Sequence, residues 1–307
     1  MTDPARSNMP LVLFGEGRDC TALNDAQIWD AVSDRGAVLF HGFHVDADDF
    51  YAFASRFNRA FLTSPFDDRK TLSDKNELQT VTLGQFGLTL HFEYGNSPLR
   101  PDLLWFYCRR PPAAGQGGET LVADGAAIFD KLSPSTQDML LNRRIKYTNF
   151  VPRDAFDAIT NESGMKSIVG NNALDAMAAS GASKILEASD QRIVYEYVAS
   201  SVCTPSNGRR HICQNCFGDP YKRPSDKDAE KSFSTVVTWE DGSDIEKAVV
   251  DELRLAAGSA TRGIKWRAED FVLIDNNRVM HGRRPTKDPE RDIVLLCSFS
   301  TRYQLAA

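Results

Sequence analysis

Two short stretches of this 307-residue chain carry side chains that could hold one metal ion between them. His91 and Glu93 lie one residue apart in Leu88-Thr-Leu-His-Phe-Glu-Tyr94, and His281 stands in Asp275-Asn-Asn-Arg-Val-Met-His-Gly-Arg283. Two imidazoles and one carboxylate converging on a point form the facial triad that binds non-haem Fe(II) and leaves coordination positions open. A catalytic zinc accepts the same donors, so the triad alone leaves both metals open. A second pair of residues bears on the choice. Thr120 closes the loop ending Gly117-Gly-Glu-Thr120, and Arg291 comes ten residues after His281, at the start of the last apolar run. A hydroxyl and a guanidinium can clamp a carboxylate, the guanidinium with a two-pronged fit. A zinc hydrolase has no need of that second anchor, whereas a diacid chelating iron at one end does.

These residues need strands to aim them. Side chains at i and i+2 of a strand leave the same face, so a strand through 79–94 would point His91 and Glu93 together and send Phe92 into the core. The apolar run at 271–274, the Asp275-Asn-Asn-Arg turn and a restarted strand would carry His281. Further strands are expected at 37–43, 102–109, 192–199, 209–217, 233–239 and 293–299. Asn24 and Gly36 bracket an amphipathic helix, Asp46 caps a second that carries Phe50, Phe53 and Phe57, and a third runs from Ser243 to Gly258. Residues 111–118 read as a Pro/Gly loop, and the small, polar stretch at about 155–190 as a helical or loop insertion. Many strands, few helices and no βαβ alternation argue against a doubly wound parallel sheet. The expected fold is mainly β with flanking helices, a double-sheet β-roll, formed by residues 1–307 as a single catalytic domain.

Composition narrows the classes. Hydrophobic residues at 42% allow a substantial core, and a net charge of −6 gives no basic footprint for nucleic acid. No apolar run approaches membrane-spanning length, and the N-terminus lacks an apolar leader core, so a cytoplasmic enzyme is expected. Six cysteines dispersed over this length do not make a disulfide framework. Oligomeric state is left open.

In order along the chain, Gly36-Ala-Val-Leu-Phe-His-Gly-Phe43, His91-Phe-Glu93, Trp105-Phe-Tyr-Cys-Arg-Arg-Pro-Pro112, Gly117-Gly-Glu-Thr-Leu-Val-Ala-Asp124, Lys265-Trp266 and Asp275–Arg283 form a specific set. Together they resemble the Fe(II)/2-oxoglutarate-dependent dioxygenases of the taurine dioxygenase (TauD/TfdA) superfamily, in particular its clavaminate-synthase-like branch. The resemblance implies a double-stranded β-helix (jelly roll), with His91, Glu93 and His281 on Fe(II), and Thr120 and Arg291 on the distal carboxylate of 2-oxoglutarate. It implies O2-dependent decarboxylation of 2-oxoglutarate to succinate, coupled to hydroxylation, desaturation or ring formation at an unactivated C–H. The substrate class it suggests is a small amino acid or amino-acid-derived metabolite, free or carrier-tethered, in natural-product biosynthesis. Related halogenases replace the triad carboxylate with a small residue, so Glu93 argues against halogenation. Many relatives carry a second arginine, which binds an acidic substrate group, where this chain has Leu295. The alternative is a metal-binding jelly-roll protein without oxygenase activity, a zinc hydrolase or a binding module.

Other polar residues have competing roles. Tyr94 and Asn96 follow the triad and are candidates to line a substrate pocket, although Asn96-Ser-Pro98 is also turn chemistry. Asn215 and Arg283 are further substrate-binding candidates by the same resemblance. Cys203, His211, Cys213 and Cys216 could assemble a small structural zinc site, but a single CxxC more often marks buried free thiols. His41 and His44 read as packing or surface residues.

Overall fold

The computed structural model describes residues 9–72, 77–205, 208–215 and 233–302. From the N-terminus the chain forms β1 (Leu11–Phe14), α1 (Asp25–Arg35), β2 (Ala37–His41), α2 (Ala47–Ser55), β3 (Asn58–Leu62), β4 (Gln79–Thr80) and β5 (Leu88–His91). β6 (Leu103–Arg110), β7 (Thr120–Asp124), α3 (Gly125–Phe129), α4 (Pro134–Asn142) and β8 (Arg144–Pro152) follow. Next come α5 (Arg153–Asn161), α6 (Ser163–Val169), α7 (Ala173–Ala179), β9 (Ser183–Ala188), β10 (Arg192–Ser200), β11 (Val202–Cys203) and β12 (His211–Ile212). The last elements are β13 (Ser234–Trp239), α8 (Lys247–Ala260), β14 (Arg262–Ile264), β15 (Phe271–Asp275), β16 (Val279–Arg283) and β17 (Asp292–Ser300). Among the described residues no helix is long and apolar enough to cross a membrane.

Contacts divide the chain into two compact units, one holding residues 1–90, 101–124 and 260–303 and the other 91–100, 125–259 and 304–307. In the first, one sheet runs β1-β2-β15-β6-β17-β3 with β4 on β17, and a second runs β14-β7-β16-β5. These are the two sheets of the double-stranded β-helix. β2-β15-β6-β17-β3, β4 on β17 and β14-β7-β16 pair antiparallel, whereas β1 on β2 is parallel, joined by the α1 crossover. That edge pair departs from the expectation of no βαβ unit, because Leu11–Phe14 is a strand too short for its pattern to announce itself.

The helices of this unit obey their end signals. The Asn24 side chain accepts from the Ala26 and Gln27 amides, and Gly36 ends α1 at φ 75°, where a Cβ would lie 2.5 Å from Val279. Asp46 and Asp49 form a reciprocal capping box on α2. Phe50 and Phe53 of α2, and Phe57 just beyond it, are fully buried with Phe40, Trp105 and Phe271. The Phe40 and Phe271 rings stack at 4.3 Å across β2 and β15, which fixes the floor from which β15 delivers the next turn.

That turn is built from buried polar groups. Asn276, with no exposed surface, donates to the Pro101 carbonyl, and Arg278 forks onto Asp124 through two 2.9 Å bonds. The remaining Arg278 nitrogen reaches the Ser33 and Asp34 carbonyls in the last turn of α1. One guanidinium thus ties together a helix end, β7 and the start of β16. Removing either partner of such a buried pair typically costs about 3–5 kcal/mol.

The second unit contains an antiparallel sheet ordered β13-β8-β10-β9, the β11-β12 pair and helices α3 to α8. The stretch at 155–190 holds most of α5, then α6 and α7, capped by Glu162 and Asn172, and β9. α8 begins four residues later than its pattern predicts, because Ser243 turns back onto Asp241. The strand expected at 209–217 is confined to His211–Ile212 among the described residues.

Candidate active site

His281 is the central residue of β16, opposite Val122 of β7, and Arg283 lies opposite Thr120 two residues on. Directly opposed residues of an antiparallel pair share a face, so His281, Arg283 and Thr120 point the same way. The His281 ring packs 5.6 Å from that of Phe106. β5 lies beside β16 and ends at His91.

The strand stops there rather than running through Glu93, which corrects the local expectation. Phe92 has its N–H and C=O taken by the two ends of the Asn215 amide, at 2.7 and 2.8 Å, instead of by a neighbouring strand. The chain then turns, with Tyr94 at φ 52°. Gly95 leaves room for Asn215, whose Nδ2 would lie 2.6 Å from a Cβ there. Arg100 covers the Phe92 ring at 4.5 Å and donates to the Cys213 carbonyl. Four interactions with residues 213–215 and Arg100 therefore set the ligand-bearing segment.

One donor atom each from His91, Glu93 and His281 lies within 4.8 Å of the other two, and His91 Nε2 is 3.7 Å from Glu93 Oε2. Two donors bonded at about 2.1 Å to one ion can stand at most about 4.2 Å apart, so the His91–Glu93 pair is already within chelating distance. Glu93 and His281 are buried and His91 is half-buried. The donor set fits a divalent transition ion with open positions. Among the described residues Cys203, His211 and Cys213 do not form such a group, and Cys216 lies outside the described residues.

Thr120 opens β7 and is 3% exposed. Its hydroxyl oxygen accepts from Trp266 Nε1 at 3.1 Å, leaving its own proton to donate elsewhere. Arg291 Nη2 approaches the same oxygen at 3.5 Å, while Arg291 Nε is buried with no hydrogen-bond partner. Burial, followed by the neighbouring Arg283 charge, pushes the Arg291 guanidinium down to about 10. Gly118 makes this arrangement possible. At φ 82°, a Cβ on it would come within 2.8 Å of Arg291 Cδ. The result is a buried hydroxyl beside a guanidinium with a free donor nitrogen, a pair suited to a carboxylate.

The remaining candidates are placed as follows. Arg283 is 5% exposed and donates to the Thr82 and Phe86 carbonyls, so it pins the 82–86 loop. Asn215 holds Phe92, as described. Tyr94 and Asn96 line a cavity of about 270 Å³. Sequence reasoning missed the other residues of that cavity, and also the buried Asp270, which pairs with His41 Nδ1 at 2.8 Å.

The model of the taurine catabolism dioxygenase TauD, TfdA family matches residues 12–297. A clavaminate synthase-like protein of Arabidopsis thaliana is 25% identical over 275 residues, 85% of this chain and 81% of that protein. Among solved structures, AAD-2 in complex with Mn(II) and N-oxalylglycine superposes with a TM-score of 0.57 at 16% identity, covering 97% of this chain and 96% of that one. A taurine dioxygenase from Burkholderia xenovorans gives 0.58 at 17% identity, covering 94% and 86%. PvcB from Pseudomonas aeruginosa gives 0.55 at 15% identity, covering 97% and 89%.

Proposed function

This chain belongs to the TauD/TfdA dioxygenase family, and from that membership we propose that it oxidises an unactivated C–H of an amino acid or amino-acid-derived small molecule by hydroxylation, desaturation or cyclisation. It is an Fe(II)/2-oxoglutarate-dependent dioxygenase, with Fe(II) as cofactor and 2-oxoglutarate and O2 as co-substrates. The observation that carries the reading is Arg291, a buried guanidinium with an unpartnered Nε facing the Thr120 hydroxyl. A zinc hydrolase or a plain binding module has no use for such a slot.

In this proposal His91, Glu93 and His281 hold the metal from one side, which leaves positions for a bidentate co-substrate and O2. When bound, Fe(II) supplies the activation of O2 that couples oxidation of 2-oxoglutarate to oxidation of the substrate. The chain's own groups orient and shield. Thr120, its oxygen engaged by Trp266, donates its proton to the distal carboxylate, and Arg291 matches that carboxylate's charge. Relief of the unmatched guanidinium gives a strong preference for a diacid over a mono-acid. Tyr94 and Asn96 meet the substrate, while Asn215 and Arg283 act by holding the chain around it. Glu93 occupies the position that halogenation would need to be vacant. We read residues 1–307 as one catalytic domain with an insertion near 155–190. A cytoplasmic role in natural-product tailoring, on a free or carrier-tethered substrate, completes the proposal.

Anaerobic addition of Fe(II) and 2-oxoglutarate to the full chain is expected to give weak visible charge-transfer absorption, and admitting O2 to give succinate. Folded protein that does neither overturns the reading. His91→Ala or His281→Ala is expected to abolish iron binding, and full activity in either variant overturns the ligand assignment.

A further inference from the structure

The cavity that begins at Tyr94, the residue after Glu93, has a wall chemistry of its own. Its floor is a row across three strands, in which Asn149 of β8 lies directly between Tyr195 of β10 and Thr235 of β13. Phe156, Ile159 and Thr160 of α5 close one side at helical spacing, and Asn96, Ser97 and Leu99 close another. Among the described residues, none of those lining it is Asp, Glu, Lys, Arg or His.

The polar groups that do line it are engaged with one another. Asn149 Oδ1 accepts from Asn96 Nδ2 at 3.0 Å and from the Thr235 hydroxyl at 2.8 Å, and Asn149 Nδ2 donates to the Asn96 carbonyl at 3.0 Å. Tyr195 is hydrogen-bonded to Ser97, and burial pushes its phenol up to about 12, so it stays neutral. The aromatic and aliphatic faces of Phe156, Ile159, Val151 and Tyr195 are what remains for a ligand. One lining hydroxyl breaks the pattern: Ser234 Oγ is buried and has no hydrogen-bond partner among the described residues. A buried polar atom left in this way calls for a partner.

Resting on the oxygenase reading above, we propose that this cavity receives an uncharged, aromatic or aliphatic portion of the substrate carrying one hydrogen-bonding heteroatom for Ser234, and that it rejects ionised groups. An anion or cation entering here would lose its water and find no counter-charge. That penalty amounts to roughly tenfold or more in affinity, even when the ion stays partly hydrated. The class of substrate follows: its ionised groups, if it has any, lie outside this cavity, and a neutral ring or branched chain lies inside.

The test uses three probes of one shape: benzyl alcohol, benzoate and benzylamine. Their dissociation constants are measured by ligand-observed NMR on the full chain at pH 7.5, with Zn(II) in place of iron and 2-oxoglutarate present. Benzyl alcohol is expected to bind at least about tenfold more tightly than either ion. Ile159→Trp, which fills the cavity, should remove that binding, and Ser234→Ala should weaken benzyl alcohol several-fold while keeping the native circular dichroism. Equal binding of an ion, or benzyl alcohol affinity unchanged in both variants, overturns the proposal. The Fe(II)/2-oxoglutarate absorption of the same protein, measured anaerobically on a separate iron-loaded sample, separates the two readings. Absorption without neutral preference sinks the cavity proposal alone, whereas neutral preference without absorption sinks the oxygenase reading and leaves the cavity's selectivity standing.

Discussion

Around Thr120 and Arg291 the chain buries a guanidinium with no close ion pair among the described residues, whereas around Asn149 it buries amides and hydroxyls that satisfy one another. In the first region Arg291 makes a long approach to Thr120 and feels the repulsion of Arg283 more than the attraction of either Asp292 or Glu119. In the second, Asn96, Asn149 and Thr235 close a ring of bonds between 2.8 and 3.0 Å. A buried cation without a close partner is costly to keep unless an anionic ligand offsets it, which is the ground for proposing that a carboxylate binds in the first region. A satisfied network needs nothing from a ligand, so apart from Ser234 the second region sets shape and polarity only. Chemistry shared across a family and selectivity particular to one chain are thus written in opposite electrostatic styles.

Arg291→Leu is the most direct way to break this contrast. If the guanidinium awaits a carboxylate, KM for 2-oxoglutarate should rise by about 100-fold, equivalent to about 3 kcal/mol. The melting temperature of the ligand-free protein should hold or rise, because a cation destabilised by burial has been removed. Iron binding should be retained. A fall in melting temperature with KM unmoved would make Arg291 a structural residue and erase the distinction between the regions.

Asn215 probes the other style at the point where it meets the metal ligands. Its amide is fully occupied by the Phe92 main chain, so it should act by position and not by touching substrate. Asn215→Ala is expected to weaken iron binding by about 10- to 100-fold, the usual range for a residue supporting a metal ligand. Saturating iron should restore turnover with substrate KM changed by less than about threefold. A large rise in substrate KM with iron affinity intact would instead make Asn215 a substrate contact.

The contrast also explains what could be read from the sequence. That His91, Glu93 and His281 come together was legible because few residue types can serve as metal ligands, and that Thr120 and Arg291 come together because a carboxylate clamp needs a donor and a cation. α1 was legible from Asn24 and Gly36, whose effects are local. β8 was not. It alternates in burial, but Asn149 occupies a buried position where an apolar residue would signal a strand. Asn149 can be buried because its partners lie 53 and 86 residues away, beyond any local pattern. The Arg278–Asp124 fork spans 154 residues and escaped for the same reason. α5 begins after Pro152 with no side-chain cap, so its start carried no signal, and the cavity wall that it supplies went unseen. Ligand chemistry is local in sequence, while a self-satisfied polar wall is an agreement between distant segments.

The β11-β12 pair offers the smallest and sharpest probe, since it is where the second unit lets charge develop. Cys203 stands opposite His211, and hydrogen bonds from Cys213 and then His211 push its thiol down, while Cys213 is pushed well up by its bond to Cys203 and by burial. The sign is that of an acid stabilised in its ionised form: the donors around Cys203 hold its thiol well below the ordinary thiol range, so its thiolate fraction varies less with pH across the neutral range than that of a free thiol. A free thiol of pKa near 8.5 loses roughly 25-fold in thiolate fraction between pH 9 and pH 7. Alkylation of half-buried Cys203 by iodoacetamide, followed by peptide mass spectrometry, should change by less than about threefold over that range, with Cys213 left unlabelled. His211→Ala should restore part of the ordinary slope. A full 25-fold fall in the native chain would show that the donors around Cys203 do not hold a charge.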